Sequence, residues 1–279
     1  MKSWKIGAVS GLIAGIIAGI VAIITGINLI NMGFFYWEFP QPTLIRILLV
    51  EIATNAILGA VLGVIYSIFN EIIPGKSVSK GILYGLILSL LYCVRWSTLA
   101  LMYGYPKVAL TWSIYIIPLI LYGFVLGVFY EILCNRYNVP KTKKIIKYDI
   151  KSGIYPGAIA GFIGGIPIEI GNILFFNRHL WSIYLSEIGV LLGQLGTHLF
   201  FNMIWGIVFG MLFVVFYERI PGRGILRGLI FSMIMFFISS FRSGIFILAY
   251  GDLMLGSWQF GGGFTFFVFG ILLGYLYKK

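Results

Sequence analysis

The feature that most constrains this chain is a series of long apolar runs. Eight runs are each long enough to cross the hydrocarbon core of a bilayer, which takes about 20 helical residues. They cover roughly residues 6–31, 43–70, 80–104, 112–134, 153–176, 189–217, 228–251 and 258–277. None shows the alternation of a membrane β-strand, and a segment in lipid must satisfy its own backbone groups. Each run therefore predicts a helix.

The composition agrees with a chain that has little surface in water. Of the 279 residues, 60% are hydrophobic and only 10% are charged, whereas a soluble domain carries about 25% charged residues. A soluble monomer, a disordered chain and a disulfide scaffold are therefore excluded. The sequence predicts an all-α, polytopic membrane helix bundle with eight transmembrane helices.

The distribution of basic residues predicts the orientation in the membrane. Most of the 20 Lys and Arg residues fall in loops on the side of the N-terminus. Positive charge stays in the cytoplasm during insertion, so we expect a multi-pass cell-membrane protein with both termini cytoplasmic. The net charge of +11 then belongs to short inner loops. Their expected partners are the lipid bilayer and its anionic headgroups, and no nucleic acid is expected.

The chain also contains an internal tandem repeat. The segment 70–76 matches 217–223 at an offset of 147 residues, and the same offset relates Arg95 to Arg242. Each half has four apolar runs, an even number, so the halves enter the membrane from the same side as parallel repeats. The predicted domains are a first four-helix repeat over 1–135, a basic cytoplasmic linker over 136–152 and a second four-helix repeat over 153–279.

The first run of each half carries a glycine at every fourth position. On a helix this spacing lays a smooth groove along one face, where another backbone can approach closely. We therefore predict helix packing along Gly7, Gly11, Gly15, Gly19, Gly153, Gly157, Gly161 and Gly165. A homo-oligomer contact or a sliding surface is the alternative role for the same groove.

Two Pro-Gly sequences should end helices on the cytoplasmic side. Proline cannot continue a helix and glycine adopts the left-handed conformation, so one helix stops there and the next begins. The predicted cytoplasmic turns contain Glu71, Pro74, Gly75, Lys76, Glu218, Pro221, Gly222 and Arg223. An inner gate or a phosphate-binding turn is the alternative role for these residues.

A few ionisable residues lie inside the predicted spans. Each is eight or nine residues from the outer end of its own span, which at 1.5 Å per residue is about 12–14 Å below the outer boundary. With two asparagines one turn deeper they form what we call the polar layer: Glu51, Asn55, Arg95, Glu169, His198, Asn202 and Arg242. Arginine does not lose its proton, so each arginine needs a partner. The simplest pairing is Arg95 with Glu51 and Arg242 with Glu169.

The polar layer has a functional and a structural interpretation. Intramembrane ionisable groups commonly mark pathways. This predicts a transporter or channel for a small molecule or an ion, with a polar site between the two repeats in the outer half of the membrane. The alternative is a non-catalytic scaffold or assembly protein in which the layer is a set of buried ion pairs. A membrane-embedded enzyme acting on lipid-linked substrates is the third alternative.

One enzyme resemblance rests on a specific spacing. The segment His198-x-x-x-Asn202 resembles one motif of the CAAX-type intramembrane metalloproteases. That family also has paired glutamates and a second histidine on another helix. This sequence has no Glu-Glu pair, and its only other histidine, His179, falls in a predicted outer loop. The sequence therefore predicts no catalytic residues, no metal and no cofactor.

Overall fold

The computed structural model describes residues 2–31, 44–102, 106–139, 149–171, 188–238 and 253–277. Within these ranges the chain is 90% helical and contains no strand. The predicted all-α class is therefore confirmed for the described part. This follows from the apolar runs themselves, because a helix satisfies the backbone hydrogen bonds of its own segment.

Six described α-helices make up the first half of the chain. They are α1 (Ser3–Asn31), α2 (Leu44–Phe69), α3 (Ser77–Ser89), α4 (Arg95–Met102), α5 (Pro106–Ile114) and α6 (Ile116–Arg136). A π-helix over Leu90–Val94 joins α3 directly to α4.

Two details of this half differ from the sequence prediction. We expected one regular helix over 80–104 and a loop up to residue 112, but the helix contains the π segment, and α5 already begins at Pro106. Proline suits the first turn of a helix, since its missing N–H has no helical partner there. Hydropathy registers the apolar runs but carries no signal for either feature.

Four described α-helices make up the second half. They are α7 (Ile154–Gly171), α8 (Ile188–Phe216), α9 (Ile225–Phe236) and α10 (Leu253–Leu276). A 3₁₀ turn over Ile150–Gly153 leads into α7, and another over Tyr217–Arg219 follows α8. Residues 140–148 of the predicted linker lie outside the described residues.

Several helices are long and apolar enough to cross a bilayer. The described stretches that qualify are Ser3–Thr25, Leu49–Phe69, Ser77–Val94, Trp112–Arg136 and Leu195–Arg219, and Ile225–Phe236 and Gly263–Leu276 are shorter apolar helices. Leu49, Ile57 and Ile117 are 65%, 62% and 62% exposed. Apolar surface of this kind suits a lipid environment. The helices therefore indicate a membrane protein, while the total of eight spans stays a prediction.

The chain divides into two compact units. The first unit contains residues 1–145 and 242–256, and the second contains residues 146–241 and 257–279. In the first unit α1 packs along both α2 and α6, and α3 packs along α6. In the second unit α7 packs along α8.

Glycines form the contact between α1 and α2. A Cβ atom added at Gly59 of α2 would lie 2.7 Å from the Cα of Gly15, and one added at Gly11 would lie 2.8 Å from the Cα of Gly63. Carbon atoms do not approach so closely without a shift of the backbone. The two helices therefore touch backbone to backbone, which is the contact that small residues make possible in lipid.

The contact between α7 and α8 has the same construction. A Cβ atom added at Gly161 would lie 2.7 Å from the Cα of Gly206, and one added at Gly157 would lie 2.9 Å from the Cα of Gly210. Gly206 and Gly210 stand 147 positions after the α2 glycines Gly59 and Gly63. In both units, therefore, the helices of a pair touch at glycines, and the α2 and α8 glycines are related by the 147-residue offset.

A second glycine crossing occurs in each unit. A Cβ atom at Gly81 of α3 would lie 2.7 Å from the Cα of Gly127 in α6. A Cβ atom at Gly228 of α9 would lie 2.8 Å from the Cα of Gly274 in α10. The 147-residue offset relates these glycines as well, Gly81 to Gly228 and Gly127 to Gly274.

The crossing between α7 and α8 can be tested by adding one methyl group at a glycine where the two helices touch. We expect Gly206→Ala to lower the free energy of unfolding by about 1–3 kcal/mol, because the added methyl group meets the backbone of α7. Gly196→Ala in the same helix is the matched control, since a Cβ atom there would have no atom within 4 Å. Thermal unfolding in detergent measures both. Equal unfolding temperatures for the two variants would contradict a glycine-dependent crossing.

Candidate functional site

The polar-layer residues are distributed over both units. Glu51 and Asn55 lie on α2, Arg95 is the first residue of α4, Glu169 lies on α7, and His198 and Asn202 lie on α8. For Glu169 only the backbone position is described, and Arg242 lies outside the described residues. The predicted pairings of Arg95 with Glu51 and of Arg242 with Glu169 stay predictions.

Among the layer residues whose burial is described, Glu51 is the most deeply buried. It is only 4% exposed, and the neighbouring Thr54 is 6% exposed. One turn along α2, the Asn55 side-chain amide donates a hydrogen bond of 2.8 Å to the backbone oxygen of Glu51. A carboxyl group in this position is expensive unless polar groups or a solute accompany it.

The two asparagines occupy the same kind of position in their units. Asn55 packs against Gly19, the last glycine of the α1 groove. A Cβ atom added at Gly19 would be 3.1 Å from the Asn55 Cβ. Asn202 lies beneath the α7 groove, where a Cβ atom added at Gly165 would be 2.8 Å from the Asn202 amide nitrogen. Each glycine groove thus ends against an amide side chain, and half-buried His198 lies one turn before Asn202.

The π-helix immediately precedes Arg95. Within Leu90–Val94 the backbone departs from the regular α-helical hydrogen-bond pattern. Just before it, the Ser89 hydroxyl donates to the backbone oxygen of Gly85 at 2.8 Å. Short π segments within helices cost stability and are frequent at functional sites. In the second unit Phe237 and Ile238 extend α9 in the same conformation.

The next apolar stretch of the first unit is interrupted as well. Helix α5 ends at Ile114 and α6 begins at Ile116, with Tyr115 at the junction. Pro118 lies buried in the first turn of α6, where its missing N–H is tolerated. The regular backbone ladder is therefore broken between α5 and α6.

The two interruptions lie next to each other. Helices α4 and α5 pack together, and the hydroxyl groups of Ser97 and Ser113 are 3.0 Å apart. The Tyr92 and Trp112 rings make an edge contact with their centroids 5.4 Å apart. Arg95 therefore stands where two consecutive apolar stretches both leave the regular α-helical pattern, a feature that the sequence reasoning missed.

The polar side chains on these helices have the chemistry that a small polar or charged solute needs. The buried Glu51 carboxyl can accept hydrogen bonds. The guanidinium of Arg95, whose Nε is buried, can donate several. Interrupted helices add backbone N–H and C=O groups that are no longer committed to a regular ladder. Among the described residues, no three His, Cys, Asp or Glu side chains come together as metal ligands would.

The two Pro-Gly turns have closely similar backbones. Gly75 has φ of +107° and Gly222 has φ of +94°, both in the region that favours glycine. Lys80 donates to the backbone oxygen of Asn70, and the guanidinium Nε of Arg227 donates to the backbone oxygen of Gly222 at 2.7 Å. In each turn one basic side chain therefore binds the backbone of the turn itself.

The basic residue that follows the glycine of each turn is exposed. Lys76 and Arg223 are exposed, as are Pro74, Gly75, Pro221 and Glu218, while Glu71 is half-buried. The exposed cations could contact anionic headgroups at about 1 kcal/mol each. That contact stays a prediction.

No family model, curated protein or solved structure matches this chain. The residues and their geometry therefore carry the functional argument.

Gly222, the glycine with positive φ in the second Pro-Gly turn, allows a direct test of that turn's backbone conformation. We expect Gly222→Ala to lower the free energy of unfolding by about 1–2 kcal/mol, because an L-residue is disfavoured at positive φ. A Cβ atom there would also lie 2.7 Å from Leu226 Cδ2. Arg223→Ala is the neighbouring control, and its exposed side chain should contribute little. Chemical unfolding in detergent reports both, and a loss confined to Arg223→Ala would contradict the assignment.

Proposed function

We propose that this protein is a multi-pass membrane transporter or channel for a small solute or an ion. The proposed site lies in the first unit, in the outer half of the membrane, and includes Glu51, Asn55 and Arg95. The observation that supports it most directly is the pair of adjoining interruptions at Leu90–Val94 and at Tyr115 beside Arg95.

Interrupted helices favour a binding site over a purely structural layer. A regular helix would satisfy every backbone group and would be the most stable way to carry Arg95 across lipid. Departures from it are tolerated where the freed backbone groups line a cavity or meet a ligand. Two such departures next to one arginine are what a solute site requires and a static ion pair does not.

The burial of Glu51 supports the same function. An ionisable side chain that is 4% exposed in an apolar bundle costs about 2.5–3.5 kcal/mol on insertion scales. A chain that kept this residue only to assemble would gain stability from an apolar replacement. Binding of a cation or a proton by this carboxyl group during transport would account for a buried ionisable residue at this position.

The proposed architecture is eight spans in two parallel four-helix repeats, with domains at 1–135 and 153–279 joined by a cytoplasmic linker at 136–152. It is supported by the glycine crossings, which use residues related by the 147-residue offset in both units. The similar Pro-Gly turns support it further. In this topology both termini and both turns face the cytoplasm, with Lys76 and Arg223 at the anionic headgroups.

A membrane scaffold is the second candidate. The backbone contacts at Gly15 and Gly59 and at Gly161 and Gly206 favour it, because they make firm helix pairs that suit a rigid assembly platform. In that case the polar layer would only orient helices, and no solute would bind to it.

A ligand-dependent thermal-shift experiment in detergent separates the two candidates. The probes are alkali-metal chlorides, ammonium, phosphate, amino acids and sugars, tested on the wild type, Arg95→Met and Arg136→Met. We expect at least one probe to raise the unfolding temperature of the wild type and of Arg136→Met, but not of Arg95→Met. Arg136 is exposed at the end of α6, so its variant controls for the loss of a positive charge.

The opposite results are equally specific. A shift that survives in Arg95→Met would remove the polar layer from the binding site. If no probe shifts the wild type, and a Glu51→Gln, Arg95→Met double variant stays folded and monodisperse, the scaffold becomes the better description.

A further inference from the structure

The second Pro-Gly turn holds one arginine in a fixed position. The guanidinium carbon of Arg227 lies 4.2 Å from the centroid of the Tyr217 ring, and its Nε donates to the backbone oxygen of Gly222 at 2.7 Å. A guanidinium carries five N–H donors, of which the bond to Gly222 uses one. No hydrogen bond to another described residue engages the remaining donors. The outer edge of this guanidinium is therefore available to a ligand.

The ring beneath Arg227 is itself held by its neighbours. Tyr217 contacts Tyr277 of α10 with a centroid distance of 4.9 Å and Phe213 of α8 with one of 5.3 Å. Both neighbours are buried, and Phe213 also contacts Phe231 of α9. The guanidinium therefore rests on a packed aromatic cluster. A side chain that is already ordered loses little freedom when it binds an anion.

The turn has an excess of positive charge around this arginine. It contains one carboxylate, Glu218, and three guanidiniums, those of Arg219, Arg223 and Arg227, which gives an excess of two positive charges. Glu218 and Arg219 have interactions of their own, whereas exposed Arg223 makes no hydrogen bond or ion pair with another described residue. The planar fork of an arginine matches the oxygens of a phosphate group. Arg223 and Arg227 therefore suit a phosphate-bearing partner.

Exposed apolar side chains lie directly beside these arginines. Helix α9 begins after Gly224, and its first two residues, Ile225 and Leu226, are 43% and 54% exposed. Apolar side chains next to basic ones are typical of helices at the boundary between lipid headgroups and acyl chains. A free phosphate ion would make no use of these two residues. A phospholipid offers both a phosphate group and apolar chains.

The first Pro-Gly turn lacks the fixed arginine. The counterparts of Tyr217 and Arg227 there are Asn70 and Lys80. Asn70 provides no ring, and the ammonium of Lys80, which donates to the backbone oxygen of Asn70, is a point charge without a planar fork. The two turns share a backbone conformation, but only the second has a guanidinium stacked on an aromatic ring.

The first turn also lacks the exposed apolar pair at the start of its helix. The counterpart of Leu226 is Ser79, whose hydroxyl accepts from the backbone N–H of Lys76 at 2.8 Å. The first turn thus uses this position for a polar cap, which satisfies the backbone locally. The second turn gives up that bond and places a leucine at the surface instead.

We propose that the second Pro-Gly turn binds one anionic phospholipid, with the headgroup phosphate on Arg223 and Arg227 and the acyl chains along Ile225 and Leu226. The proposal goes beyond the solute site, and it rests on the proposed function only in placing this turn at a membrane surface. A zwitterionic lipid fits less well, because its ammonium group cancels the charge of the phosphate and meets the positive excess of the turn.

Lipid titration of the full-length protein in detergent tests the site. Native mass spectrometry measures the apparent dissociation constant of the first bound molecule of phosphatidylglycerol, phosphatidylcholine or glycerol 3-phosphate. We expect phosphatidylglycerol to bind at least about tenfold more tightly than either of the others. The double variant Arg223→Gln, Arg227→Gln should weaken phosphatidylglycerol binding about 30-fold, at about fivefold for each basic residue near a headgroup.

The equivalent turn supplies the matched control. The double variant Lys76→Gln, Lys80→Gln removes two positive charges and one side-chain bond to a turn backbone, just as the arginine variant does. We expect it to bind the first phosphatidylglycerol within about twofold of the wild type. Leu226→Ser, which introduces the residue of the first turn, should weaken binding severalfold because it removes an apolar contact with the acyl chains.

Four results would overturn the proposal. They are equal affinity for phosphatidylglycerol and phosphatidylcholine, wild-type affinity in a folded arginine variant, an equal loss in the lysine variant, and glycerol 3-phosphate binding as tight as that of the lipid. The third would leave only diffuse charge attraction, and the fourth would assign the turn to a free phosphate ester. If the arginine double variant is not monodisperse, Arg223→Gln and Lys76→Gln form the pair, because both side chains are exposed.

The lipid site and the solute site fail in different ways. If Arg95→Met abolishes a ligand-dependent thermal shift while the arginine variants of the turn bind phosphatidylglycerol normally, the solute site stands and the lipid site is wrong. If the turn variants lose the lipid but no probe shifts the wild type, the lipid site stands and the transporter proposal loses its support.

Discussion

Contact between helix backbones at glycine is the interaction on which the rest of each unit depends. Lipid provides no hydrophobic force between helices, so they are held by van der Waals contact, which is strongest where no side chain intervenes. Gly15 with Gly59 and Gly161 with Gly206 make such contacts. They also fix where α2 and α8 hold their polar residues, because Asn55 and Asn202 lie one turn from these glycines. The same atoms that hold the helices together thus position the candidate site.

The candidate site departs from the regularity of its surroundings. Most of α1 and α2 is continuous helix, yet the backbone around Arg95 changes to a π-helix, and the neighbouring stretch is interrupted at Tyr115. Irregular backbone in an apolar bundle carries a cost in hydrogen bonding. That cost is concentrated beside a charged residue, and we therefore attribute it to function. The glycine crossings stabilise the unit and offset the hydrogen-bonding cost of this irregular backbone.

The two units share a packing plan and differ in chemistry. Both bury a three-ring cluster of nearly the same dimensions, yet the first unit uses Tyr66 and Tyr84 where the second uses Phe213 and Phe231. Adding a hydroxyl group to a packed ring leaves the shape almost unchanged but introduces a hydrogen-bonding group, and in the first unit the Tyr84 and Tyr122 hydroxyls donate to the backbone of α2. The two units therefore pack similar clusters of rings while their interiors differ in polarity.

The sequence alone determined the all-α class and the membrane environment, because both follow from the length and polarity of segments, which are local properties. The glycine spacing likewise predicted close helix contacts, and α1 and α7 do lie against α2 and α8 at those residues. Only the tertiary structure decided the π segment before Arg95, the junction at Tyr115 and the bonds from Tyr84 and Tyr122 to α2. The π segment and the junction at Tyr115 depend on which backbone N–H bonds to which C=O. Hydropathy carries no information about that pairing. The last depends on how separate helices are rotated toward one another, and residues distant in the chain settle that rotation.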